Sequence, residues 1–224
     1  MNRMKHLWIG ALWMCSTFAT AANLITNGDF SAGNTNFGSD YAFGSTNDCL
    51  PPGVYDIVAS PSDCHSLWAS FGDHTSGSGS MMTINGAEIA DIDVWFETVS
   101  VVPDTTYYFS TWIASSYPTS PAMLDFSING ASIGSTFDAS TTPGVWQLFF
   151  ASWFSGASTT AHLSLVNQNT EFGGNDFALD DIVLDAVAPP GGTDVSNSVP
   201  EPITLALLGV ALAGLGLARR GRAH

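Results

Sequence analysis

The body of this chain alternates with period two rather than 3.6, and that pattern directs it into sheets. From Asp91 to Val99, the residues Ile92, Val94 and Phe96 alternate with Asp91, Asp93, Trp95 and Glu97, which reads as a half-buried strand whose acidic outer face carries Trp95. Thr105 to Ala114 is rich in Tyr, Phe, Thr and Ile, and Leu124, Phe126 and Ile128 alternate with polar residues before Asn129-Gly130. Asn-Gly is hairpin turn chemistry, and Asn85-Gly86 is a second such signal. Further strands are expected at Val54 to Val58, Leu67 to Phe71, Met81 to Ile84, Val145 to Trp153, His162 to Val166 and Phe177 to Val187. With no convincing helical stretch among them, these segments predict an all-β fold, an antiparallel two-sheet β-sandwich.

Charge divides the chain differently. Nineteen of its twenty Asp and Glu fall between Asp29 and Asp194, a span without Lys or Arg; the five basic residues, Arg3, Lys5, Arg219, Arg220 and Arg222, sit at the two ends. That split separates two addressing segments from an acidic body that works outside the cytoplasm. Residues 1–22 read as a secretory signal, with a basic start, an apolar run from Leu7 to Ala19, and Ala19-Thr20-Ala21 at the spacing signal peptidase requires. Cys15 follows Leu12, Trp13 and Met14 instead of a small residue, which argues against lipidation. Residues 188–198 are a Pro/Gly/Ser-rich linker, opening Ala188-Pro189-Pro190-Gly191-Gly192. Between signal and linker lies one domain, residues 23–187, long enough for a sizeable core.

Residues 199–224 set Pro200-Glu201-Pro202 ahead of an apolar stretch, Ile203 to Ala218, and a basic tail, residues 219–224. Sixteen apolar residues make about 24 Å of helix, short for a membrane span but workable in a thin bilayer with snorkelling arginines. As a transmembrane helix it keeps the tail cytoplasmic and the acidic body outside. This order of parts resembles the PEP-CTERM sorting signal, found on exported proteins of Gram-negative bacteria that make exopolysaccharide, with Pro200, Glu201 and Pro202 matching its namesake motif. The resemblance implies recognition by an exosortase, a membrane-embedded Cys transpeptidase, and cleavage near the motif, leaving the ectodomain at the cell surface or in the extracellular matrix.

Two further passages carry a resemblance. Asn23-Leu24-Ile25-Thr26-Asn27-Gly28-Asp29-Phe30 is similar to the first strand, and Gly174-Asn175-Asp176-Phe177-Ala178-Leu179-Asp180-Asp181-Ile182 to the last strand, of bacterial carbohydrate-binding-module-like jelly rolls with the galactose-binding-like fold. Phe71-Gly72-Asp73-His74-Thr75 and Gly144-Val145-Trp146 also resemble segments of PEP-CTERM ectodomains of this kind. Family members commonly carry Glu after the Phe of the first strand, where it helps hold a structural calcium; this chain has Ser31, which weakens such a site and leaves Asp29 as the substitute.

The acidic body bears on the same question. Asp180 shares parity with Ile182 and Leu184, which directs it inward with them, and a buried carboxylate needs a partner that no Lys or Arg can supply. Backbone N–H groups, one of His65, His74 and His162, a proton or a metal are the options; an oxygen-rich domain outside the cell favours Ca²⁺, with Asp29, Asp73 and Asp180 as ligands. The competing reading makes these Asp solvated residues or turn formers through side-chain hydrogen bonds. Cys49 and Cys64, the cysteines left after signal removal, most simply pair in an oxidising compartment, with free thiols or a metal pair as alternatives.

Five Trp lie in the domain, and sugar recognition needs flat aromatic faces beside Asp or Asn. Trp95, between Asp93 and Glu97, is the residue that periodicity turns outward; Tyr108 and Trp112 share a face of the following strand. Catalytic signals are thin: Gly77-Ser78-Gly79-Ser80 lacks a nucleophile-elbow pattern, there is no His-Glu-x-x-His, and Asp73-His74 reads as a loop-ordering pair. The charge repels nucleic acid and anionic polysaccharide. Two classes remain: a non-catalytic module binding neutral extracellular glycan, and a structural surface or matrix protein without a sugar site. A glycan-active enzyme stands behind both.

Overall fold

The computed structural model describes residues 23–44 and 49–189. The secretory signal, most of the linker, and the sorting tail with its apolar stretch fall outside the described residues. Within them no helix is long and apolar enough to cross a membrane.

Among the described residues eleven strands and one short helix follow in chain order: β1 (Ala42–Phe43), β2 (Val54–Val58), α1 (Pro61–Cys64), β3 (Met81–Asn85), β4 (Asp93–Ser100), β5 (Thr106–Ser115), β6 (Met123–Ile128), β7 (Ala131–Ser132), β8 (Phe137–Asp138), β9 (Gln147–Phe154), β10 (Thr160–Asn167) and β11 (Phe177–Asp185). One sheet runs β1-β2-β3-β11-β5-β9; the other runs β4-β10-β6-β7, with β8 also on β6. All ladders are antiparallel except the short β1–β2 pair. The sheets face each other across one core. Leu124, Phe126 and Ile128 of β6 and Ala161, Leu163 and Leu165 of β10 meet Phe109 and Ile113 of β5, Phe149 of β9 and Phe177, Leu179, Ile182 and Leu184 of β11. Each such large side chain, fully buried, stabilises by about 1.5–3 kcal/mol. The result is a jelly-roll sandwich, as the strand pattern predicts.

Most expected strands form, and three expectations in this part of the reading change. Leu67 to Phe71 is turn and irregular backbone, not a strand. Asn23 to Phe30 forms no strand either: Asn27 and Phe30 adopt positive φ, and the segment is tied to β11 by a few bonds instead of a ladder. The Leu24 N–H donates to the Leu184 carbonyl, the Ile182 N–H donates to the Gly28 carbonyl, and the Asn23 side chain bridges Ile182 and Leu184. Asn129-Gly130 is the hairpin turn between β6 and β7, with both residues at positive φ. Asn85-Gly86 is not a hairpin, because β3 and β4 belong to different sheets.

Two β-bulges account for the largest corrections. In the β4–β10 ladder Leu165 faces Trp95 while Val166 faces Asp93, so Val94 is an extra residue and side-chain parity reverses after it. Trp95 therefore points into the core at 2% exposure, rather than onto an acidic outer face, and Phe96 takes the half-exposed position. In β11 the register slips between Asp180 and Val183, with Asp181 at φ 51°. Asp180 consequently lies on the opposite side from Ile182 and Leu184, against the outer face of the six-stranded sheet. It is still fully buried, because a loop covers it.

Candidate functional site

That covering is made by residues 49–80. The Cys49–Cys64 disulfide, with Cα atoms 5.2 Å apart, joins the segment before β2 to α1. Together with Val54 and Trp68 the two half-cystines form a second, smaller apolar cluster, against which Val58 and Tyr117 pack. Beyond Trp68 the chain crosses the sheet as Phe71 to Ser80, and here the two ectodomain-like segments meet. Phe71 packs edge-on to Trp146 at 5.8 Å, and the Trp146 indole donates to the Gly72 carbonyl at 3.3 Å.

The loop is latched by carboxylates. Asp180 accepts from the His74 N–H (2.8 Å), the Thr75 N–H (3.0 Å), the Thr75 hydroxyl (3.1 Å) and, through its other oxygen, the Asp181 N–H (2.9 Å). Burial nevertheless pushes its pKa up to about 6, the Thr75 N–H pulling the other way. Asp73 accepts from the Ser76 and Gly79 N–H groups and from the Ser76 hydroxyl; these donors outweigh burial, so its pKa is lowered. His74 bonds Asp181 at 2.6 Å, so the loop-ordering partner of this histidine is not its neighbour Asp73.

The Asp residues assigned to calcium thus have other partners. Asp29 is held by the Ser31 N–H and hydroxyl, the residue that replaces the family's Glu. Among the described residues no three His, Cys, Asp or Glu side chains gather as metal ligands. Asp29, Asp73 and Asp180 are not brought together as one such group. Buried Asp180 is satisfied by backbone N–H groups, one of the routes open to it in a chain without basic partners. Tyr108 and Trp112 do share the outer face of β5, but Trp112 presents its ring to His74 at 3.9 Å and 14° between planes. Tyr108 lies parallel to Phe150 at 6.0 Å. Trp95 lies in the core instead, on neither of their faces.

A different place gathers exposed apolar groups over a buried acid. Beside the disulfide a cavity of 190 Å³ is lined by Leu50, Pro52, His65, Leu67, Trp68, Asn85, Tyr117, Phe172, Gly173, Gly174 and Asp176. Leu50, Leu67 and Phe172 stand at its rim with about two thirds or more of their surface free (64%, 71% and 70%). His65 stacks on Trp68, centroids 5.1 Å apart. Asn85, at the end of β3, spends its amide N–H groups on the Cys49 and Leu50 carbonyls, which fixes that rim to the sheet. The turn before β11 supplies the floor. Gly174 sits at φ 138° with its α-carbon so near Thr119 that a β-carbon would lie 2.0 Å from the carbonyl oxygen, so only glycine fits.

Asp176 is buried, and its Oδ2 accepts from the Trp68 indole at 3.1 Å. Its Oδ1 has no hydrogen-bond partner among the described residues. Burial drives the carboxyl up to about 7; the Gly86 N–H pulls the other way without an aligned hydrogen bond, as does the Trp68 indole. Sequence reasoning missed this site. Asp176 falls inside the last-strand motif, where it reads as framework, and Trp68 falls where a strand is expected. The signal was Phe172 beside Gly173-Gly174, a large aromatic in a turn with nothing to bury it.

A second groove, 460 Å³ and open, runs over β4 between Phe37, Phe96 and Glu97. Glu97 takes the Thr26 N–H on Oε1, Oε2 has no hydrogen-bond partner among the described residues, and burial raises its pKa. Its aromatic surface is partly closed, since Phe96 is paired through its backbone to Gly38 and packed on it.

Comparison with known proteins agrees with both halves of the chain. Residues 198–222 match the PEP-CTERM protein-sorting motif. No curated protein matches by sequence. Among solved structures, arabinose-bound MgGH51 α-L-arabinofuranosidase is similar at TM-score 0.51 and 10% identity, over 73% of this chain and 26% of that one. TmCBM61 in complex with β-1,4-galactotriose has TM-score 0.48 and 13% identity, over 73% and 97% of the two chains. The CBM22-1 xylan-binding domain of Paenibacillus barcinonensis Xyn10C has TM-score 0.42 and 14% identity, over 60% and 82%. At such identities the likeness is one of fold, and this chain spans about a quarter of the arabinofuranosidase. The chain therefore joins a jelly-roll domain to a PEP-CTERM motif, and the motif implies export and C-terminal membrane anchoring before cleavage.

Proposed function

We propose that this is a non-catalytic, exosortase-sorted surface or matrix protein whose sandwich holds one ring of an extracellular glycan in the cavity beside the Cys49–Cys64 disulfide. Signal peptidase removes residues 1–22, and an exosortase acts at Pro200-Glu201-Pro202, in keeping with the matched motif. The observation that carries the sugar reading is Asp176, which lines a cavity walled by aromatic rings and whose buried Oδ1 has no hydrogen-bond donor among the described residues. Leaving a buried acceptor unmet costs about 1–3 kcal/mol, which a ligand hydroxyl or amine would recover. Aromatic walls take the apolar C–H face of a pyranose while the carboxyl takes a polar substituent. The cavity is smaller than the roughly 300–1,000 Å³ of drug-sized sites, so it suits a single ring. The carbohydrate-binding neighbours support the class of ligand, not its identity.

Affinity electrophoresis of the full-length chain in detergent, through gels cast with β-1,4-linked glucan, galactan or glucosaminan, tests the reading. We expect retardation in at least one gel, lost in Phe172→Ala, a rim residue whose removal leaves the core intact. Unchanged mobility in every gel favours the alternative, a structural matrix protein without a sugar site.

A further inference from the structure

Resting on that reading, we infer that the ring the cavity takes carries a free amine, that is, a non-acetylated hexosamine, with its ammonium group on Asp176. The first ground is the floor: Asp176 is the one acidic residue lining the cavity, and Trp68 occupies only one of its oxygens. The amide N–H groups of Asn85 are already committed to the rim carbonyls. A hydroxyl satisfies a lone pair, whereas an ammonium group satisfies it and also offsets the charge of a buried carboxylate.

The second ground is the walls. Trp68, Tyr117, Phe172 and His65 surround that floor, and the faces of Trp, Tyr and Phe attract an ammonium group through their ring quadrupoles. The third is what the protein lacks. Between Asp29 and Asp194 no Lys or Arg exists to fill the position from within, so the body's field draws cations toward every concavity. An N-acetyl group would fail on two counts, since it removes the charge and adds bulk in a 190 Å³ space. A lysine side chain shares the ammonium, but has no ring to lie on the aromatic walls.

Isothermal titration of the full-length chain in detergent with three disaccharides separates the possibilities: β-1,4-linked glucosamine, N-acetylglucosamine and glucose. We expect the glucosamine disaccharide to bind roughly tenfold or more tighter than the other two, the worth of one charge-assisted hydrogen bond over a neutral one. Asp176→Asn, which keeps an acceptor for the Trp68 indole, should remove that preference, and Asp138→Asn, an exposed control, should not. Equal binding of all three sugars overturns the amine and leaves the sugar site standing; no binding by any overturns both. Equal losses in Asp176→Asn and Asp138→Asn mean general charge attraction and overturn the assignment. Tighter binding of N^α-acetyl-lysine methyl ester than of the glucosamine disaccharide overturns the sugar ring.

Discussion

Asp176 and Asp180 stand four residues apart, both buried, both in a domain that offers no Lys or Arg, and both with pKa values raised by burial. They are solved in opposite ways. Asp180 collects four donors from the 71–80 loop and its own successor, so its charge is absorbed by local backbone. Asp176 has one aligned donor, the Trp68 indole, and its second oxygen is buried without a hydrogen-bond partner among the described residues. The difference lies in how burial is met: the same residue type closes a loop where N–H groups converge, and where they do not it is left for the external partner proposed above.

The contrast breaks most visibly at Asp180. Asp180→Ala strands the His74, Thr75 and Asp181 donors and should cost about 3–5 kcal/mol, or roughly 10 °C in melting temperature for a domain of this size, read by circular dichroism. A drop within error would mean that the loop is not held there. Next comes the disulfide. Replacing Cys49 and Cys64 together by Ser should cost about 3 kcal/mol at most, and should also weaken sugar retardation, because Leu50 then leaves the rim. Lost stability with binding unchanged would detach the disulfide from the site.

Titration sharpens the same comparison with a smaller effect. A carboxyl whose folded pKa is raised binds its proton more tightly in the native state, so its stabilising contribution is complete below the unfolded value of 3.8 and is lost as pH rises through about 6 for Asp180 and about 7 for Asp176. The melting temperature should fall by several degrees, on the order of 2 kcal/mol, between pH 5 and pH 8. Asp176→Asn should flatten the upper part of that fall. A melting temperature that rises over this range would contradict the burial assigned to both groups.

Much of this fold was legible because period-two alternation survives wherever strands pair without interruption, as in β6 and β10, whose inward residues the sequence identifies directly. Bulges were not legible. One extra residue, Val94 in β4 or the Asp181 region in β11, reverses every inference drawn from parity beyond it, and for that reason Trp95 and Asp180 point away from where counting puts them. The disulfide could be read from compartment and count. The Asp73 and Asp180 latch could be read only as a list of options, because whether a carboxylate meets N–H groups or a cation depends on how a loop returns across the sheet. The cavity was hidden for the same reason, since its walls come from five separate stretches of chain.

The placement of β11 has an outcome for biogenesis. The strand encoded last lies between β3 and β5, which pair with it and not with each other. Until Phe177 to Asp185 emerge, the larger sheet is two separate pieces with an open seam down its middle. Completion of the larger sheet must therefore wait for β11, which fills the seam from the middle instead of adding at an edge.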